Sequence, residues 1–119
     1  MSDVATIAHD TATAMAYEQF TGFDAVVSGD PDAGVAWLRT TPAGDGVLFT
    51  GMFRAEPSVF RYTFAGDESF HLLSGDVEIA LDGGATVRLT DGAVASFPKG
   101  AASTWTIRRR LTKFFVISG

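Results

Sequence analysis

The clearest regularity in the chain is an alternation of apolar and polar positions that sets in at Phe60. Phe60, Tyr62 and Phe64 fall on one side of it and Arg61 and Thr63 on the other. This is the period-two pattern of a strand with one buried face. Burying Tyr62 and Phe64 is the favoured phase, because three aromatics in water would forfeit several kcal/mol of burial. An acidic pair, Asp67-Glu68, leads into a second apolar strand over 69–73, with a turn expected at Ser74-Gly75. Val77, Ile79 and Leu81 then share one face of a strand, and Asp76, Glu78 and Ala80 the other. Asp82-Gly83-Gly84 signals a hairpin, since glycine reaches positive φ without a Cβ clash. Further strands are predicted over 86–89, 94–97, 102–107 and 114–117, the last two joined by a turn across 108–112.

Upstream, strands are predicted over 23–27, 35–40, 47–54 and 59–64. Turn residues Ser28-Gly29-Asp30-Pro31, a loop over 42–46 and Glu56-Pro57-Ser58 divide them. About ten short strands with almost no helix signal predict one all-β sandwich or barrel. Residues 1–22 carry weak periodicity and are read as an N-terminal arm, with a short helix over 11–18, a strand and a loose segment all open. The barrel is assigned to 23–119.

Composition narrows the picture. The chain has 119 residues, enough for one domain with a proper core, and a hydrophobic fraction of 46% excludes disorder as its main state. A net charge of −5 argues against nucleic acid and against anionic membranes as partners. Cysteine is absent, which removes disulfide and thiolate chemistry and fits a reducing compartment. No basic segment precedes an apolar run, and no stretch of eighteen apolar residues occurs. The expectation is a soluble cytoplasmic protein whose partner is a small molecule.

Two spaced motifs then stand out. Glu68 and Gly75 are separated by six residues, and Gly92 and Pro98-Lys99-Gly100 by five. This resembles the paired motifs of the cupins. Gly29-Asp30-Pro31, the aromatic run into Asp67-Glu68, Trp105 beyond the Pro-x-Gly and Lys113 before Phe114-Phe115 resemble more specifically the small DUF861 (ethanolamine-utilisation-type, cupin_3) group. The resemblance spans roughly residues 23–118. It implies a double-stranded β-helix, or jelly-roll barrel, commonly a homodimer, with a ligand pocket in the barrel mouth.

The departure from the cupin pattern concerns the metal. The His-x-His positions fall on Tyr62 and Phe64, or on Arg61 and Thr63 with the longer spacing, and the second-motif histidine falls on Ser103. Only Glu68 remains of the ligand set. One carboxylate does not hold a transition ion against water, so neither metal nor other cofactor is expected.

The candidate catalytic residues are Glu68 and Tyr62. An inward carboxylate suits a general acid or base, or a hydrogen bond to a ligand's amine or hydroxyl. The bland alternative pairs Glu68 with Arg61 at a strand edge, and leaves Tyr62 a core residue donating one hydrogen bond. Phe64, Phe70, Ser103, Trp105, Arg61 and Lys113 are the candidate ligand-binding residues. Ser103 has no histidine to activate it and is a hydrogen-bond donor at most. Lys113 either reaches the pocket or is a solvated strand residue. His71 is expected opposite Glu68, and His9 in solvent. Arg108-Arg109-Arg110 is expected at a solvated turn or against acids of a partner chain. Three functions stay open: a metal-free cupin binding a small polar metabolite, a metal-independent isomerase, epimerase or amidohydrolase-like enzyme using Glu68 and Tyr62, and an accessory dimeric subunit.

Overall fold

The period-two pattern becomes strand almost everywhere in the computed structural model, which describes residues 7–43 and 46–119. Nine strands and no helix occur among the described residues: β1 Glu18–Gln19, β2 Ala25–Gly29, β3 Gly34–Ala43, β4 Gly46–Ala55, β5 Ser58–Thr63, β6 Asp67–Leu81, β7 Thr86–Thr90, β8 Val94–Phe97 and β9 Ala102–Ser118. All pairings are antiparallel.

The spine is the long ladder between β6 and β9, running from Asp67 opposite Ser118 to Leu81 opposite Ser103. On its far side β9 pairs with β5 through its first half and with β4 through its second. β6 pairs on its far side with β8 and then β7. Beyond β4 lie β3 and β1, and beyond β5 lies β2. The result is a curled antiparallel jelly-roll barrel. Its core is filled by the inward residues of these strands, among them Phe60, Phe64, Leu72, Val77, Ile79, Trp105, Ile107 and Leu111.

Two expected turns are absent because both segments stay in the ladder. Ser74-Gly75 is a bulge within β6, one of the register irregularities between Leu72 and Val77. It shifts the inward phase from Glu68, Phe70 and Leu72 to Val77 and Ile79. Gly75 adopts φ 138°, and a Cβ there would meet the Leu111 Cα at 2.9 Å, so the bulge needs a residue without one. The stretch 108–112 is likewise part of β9, where Arg109 sits opposite Asp76. Its three arginines pair with acids of their own chain: Arg108 with Glu78, Arg109 with Asp91 and Arg110 with Glu56.

The helix considered over 11–18 is absent too. One hydrogen-bonded turn, from Ala14 N–H to the Thr11 carbonyl, precedes β1. The loop expected over 42–46 lies partly outside the described residues.

Candidate functional site

Alternation along β6 carries Glu68 inward in line with Phe70 and Leu72, and alternation along β9 carries Lys113 inward between Leu111 and Phe115. Lys113 is set opposite Leu72 on β6 and opposite Phe53 on β4, and its side chain runs along the inner face of the β6–β9 ladder to reach Glu68. Its Nζ donates to Glu68 Oε2 at 2.5 Å. The two residues are only 4% and 3% exposed. The other five ion pairs among the described residues lie at the surface.

The ammonium is also held by aromatic faces. Lys113 Nζ lies 4.3 Å from the Phe70 ring centre, 4.7 Å from Trp105, 5.2 Å from Phe53 and 5.9 Å from Phe115. Ring quadrupoles and one carboxylate thus replace the water this cation gives up.

Glu68 and Lys113 face a cavity of about 50 Å³. That is room for roughly three to five waters, or a ligand of a few heavy atoms. Its remaining walls are aromatic or aliphatic, including Phe20, Phe23, Trp37, Phe53, Phe60, Trp105 and Phe115, with Tyr62 as the one further titratable side chain among the described residues. Burial first, and then the Glu68 carboxylate, push the Tyr62 phenol up to about 12. At neutral pH the phenol is therefore a hydrogen-bond donor and a poor base.

The outer wall comes from the segment before β2. The Phe20 N–H donates to the Ala33 carbonyl at 2.9 Å, and the Trp37 Nε1–H to Glu18 Oε1 at 2.7 Å. Arg54 lies over the Tyr17 ring at 4.2 Å. So fastened, Phe20 packs edge-on against Phe23 and Phe53, and Phe23 lies 4.2 Å from Phe60. Trp37, at 43% exposure, stands where the cavity meets solvent.

Of the residues singled out in the sequence, the fold brings Glu68, Tyr62, Trp105 and Lys113 together around the cavity. Arg61 is elsewhere. It points outward and makes a bidentate pair with Asp82, at 2.7 and 2.6 Å, because it occupies the opposite phase of β5 from Tyr62. It is therefore not the partner of Glu68. Phe64 and Phe70 are buried but stand behind the cavity wall, both stacked on Phe97. The Ser103 hydroxyl is committed within the core: it accepts from Trp105 Nε1 at 3.0 Å and donates to the Tyr62 carbonyl at 2.7 Å. His71 faces outward, opposite Glu68, and His9 is exposed. The sequence reading missed Phe20, Phe23, Trp37, Phe53 and Phe115. Phe20 fell in the assigned arm, where weak periodicity concealed it; the other four lay in predicted strands that nothing in the sequence tied to the pocket.

The donor set does not fit a divalent ion. Tyr62, Phe64 and Ser103 occupy the histidine positions, and the one remaining carboxylate is neutralised by an ammonium at 2.5 Å. Among the described residues no three His, Cys, Asp or Glu side chains cluster as a metal site would require.

No curated protein matches the sequence. Solved structures do. A protein named for ethanolamine utilization, EutQ, from Salmonella typhimurium superposes with a TM-score of 0.67 at 21% identity, covering 85% of this chain and 76% of that one. The Schizosaccharomyces pombe Cnp3 cupin domain gives 0.67 at 12%, covering 91% and 71%. A DUF861 family protein from Thermotoga maritima gives 0.54 at 24%, covering 56% and 75%. At these identities the likeness is one of fold. The family assignment rests on the sequence: residues 42–115, more than half the chain, match the EutQ-like cupin domain, and the chain belongs to that family, Cupin_3.

Proposed function

We propose that this cupin binds a small polar metabolite in its barrel mouth without a metal. The observation that carries the reading is the buried Glu68–Lys113 pair in the wall of an aromatic cavity. Ion pairs are costly to bury, and well-packed apolar residues in their place are often neutral or stabilising. A pair buried inside a barrel, facing open volume, is therefore better explained by a ligand than by the fold. The aromatic walls would take the ligand's carbon skeleton, while Glu68, Lys113 and the Tyr62 hydroxyl would meet its polar end. The homodimer belongs to this proposal as well. Leu73 and Val94, at 40% and 74% exposure, place apolar surface on the outside of the barrel, and the molar mass in solution tests it.

The test of the site is a thermal-shift and saturation-transfer screen of small neutral amides, alcohols, acids and amines. It is run on the wild type and on the double variant Glu68→Leu/Lys113→Met. A ligand at a hundredfold excess over its dissociation constant adds about 2.7 kcal/mol of stability, which such a screen resolves. Binding to the wild type and its loss in a folded double variant is the expected result. Equal response of both proteins would end the reading, and a stoichiometric metal in the purified protein would end its metal-free part.

A further inference from the structure

The charge state of the site restricts what it can accept. Glu68 and Lys113 neutralise each other, and among the described residues no further acid or base faces the cavity except the Tyr62 phenol. An anionic ligand would put a second anion beside Glu68, and a cationic one a second cation beside Lys113, inside apolar walls that screen charge poorly. A neutral ligand adds no charge. We propose that the ligands are small aldehydes or ketones and that Lys113 captures them covalently as a protonated imine, with Glu68 moving the protons. The proposal deepens the binding reading above and rests on it.

Each step balances with these two side chains alone. The Lys113 ammonium passes one proton along its 2.5 Å hydrogen bond to Glu68, leaving a neutral amine with a free electron pair. The amine nitrogen attacks the carbonyl carbon, forming the C–N bond as the C=O π pair moves to oxygen. Glu68 gives its proton to that oxygen and takes one from the nitrogen, producing the carbinolamine. It then returns that proton to the hydroxyl, which leaves as water while the nitrogen lone pair closes the C=N bond. The outcome is a protonated imine, a carboxylate and one water. The positive charge ends on the same nitrogen where it began, beside the same carboxylate and within about 6 Å of the same ring faces. Imine formation therefore leaves the electrostatics of the core intact, and apolar walls slow its hydrolysis by keeping water scarce. A cavity of about 50 Å³ limits the captured carbonyl to a short chain.

The experiment uses propanal with cyanoborohydride on the native protein, followed by peptide mapping. The chain has two lysines, and the exposed Lys99 is the internal reference. Propyl label is expected on Lys113 ahead of Lys99 despite the burial of Lys113, with the two equalising in urea. Glu68→Gln is expected to slow labelling of Lys113 by roughly a hundredfold while leaving Lys99 unchanged. Label on Lys99 with Lys113 untouched in the folded protein would overturn the proposal. Propanamide, a neutral analogue that forms no imine, separates the two levels. If it binds but Lys113 is never trapped, the imine falls and the binding site stands. If neither occurs, both fall.

Discussion

The two halves of the β6–β9 ladder obey the same rules and reach opposite results. In the half from Val77 to Leu81 against Ser103 to Ile107, the inward positions are apolar or, at Ser103, internally bonded. Acids and bases there stand on the outer face: Asp76 with Arg88, Glu78 with Arg108, and nearby Asp82 with Arg61. In the half from Asp67 to Leu72 against Leu111 to Ser118, the outer face carries Ser69, His71, Phe114 and Val116, and the acid–base pair is inside. Surface pairs of the first kind contribute little to stability and exchange freely with water. The inverted arrangement of the second half is hard to account for by folding alone. What separates the halves is the Gly75 bulge, which resets which residues of β6 face inward.

Breaking one partner of the inner pair is the strongest way to test the contrast. Glu68→Leu or Lys113→Met alone leaves an unpaired buried charge and is expected to cost about 3–5 kcal/mol in urea unfolding. Replacing both together is expected to recover nearly all of that loss. A double variant as unstable as either single one would show that the pair is structural, and would erase the distinction between the halves.

The joint between them comes next. Gly75→Ala places a Cβ 2.9 Å from the Leu111 Cα at a φ of 138°, and is expected to cost more than about 1 kcal/mol. Alanine at Gly83, where nothing lies within 4 Å, bears only the φ penalty and is the control. Equal losses would mean that close packing at the bulge is not what holds the phase change.

How far the sequence could be read follows the same division. The spacing from Glu68 to Gly75, with the second motif at Gly92 and Pro98 in register, favoured Glu68 inward over a strand-edge position, and turn residues were enough for the all-β barrel. Alternation reports which face a residue takes, but not which strand it meets. Hence Lys113, 45 residues from Glu68 in sequence, could be named as a candidate and not as its partner. Arg61 was named for the pocket although alternation put it in the opposite phase from Tyr62, and it turns outward to Asp82. A glycine with positive φ serves a bulge as well as a turn, so β6 looked like two strands, whereas β9 looked like two because Arg108-Arg109-Arg110 interrupts its apolar alternation. The outer wall was the least legible part. Phe20 owes its place to a backbone hydrogen bond with Ala33, which no local pattern encodes.

The alkaline limb of stability probes the cavity half from another side. The Tyr62 phenol is raised to about 12 from an ordinary value of 10.0, so the folded protein keeps that proton longer than the unfolded chain does. Its contribution is fully present below pH 10 and is lost as pH rises toward 12. Subtracting the urea midpoints of Tyr62→Phe from those of the wild type at each pH isolates the effect. A difference that stays flat across the interval would mean that the phenol is not buried against the Glu68 carboxylate.

The acid limb should report the opposite half, and with the smallest amplitude. Hydrogen bonds from Arg88 and Arg61 hold the Asp76 and Asp82 carboxyls below 3.8, and those from Arg109 and then the Gly75 N–H do the same for Asp91. A depressed folded-state value means that the unfolded chain takes up protons first as the solution is acidified. The stabilisation is therefore complete above 3.8 and disappears as pH falls through the folded-state values. Asp76→Asn and Asp82→Asn are expected to flatten this limb slightly, and the effect should shrink further in high salt, because these pairs lie at the surface, with Asp76 the least exposed of the three acids. Ligand binding in the cavity should not respond to either substitution. If it did, the outer pairs would be coupled to the inner one across the Gly75 bulge, and the ladder would have to be treated as one electrostatic unit instead of two.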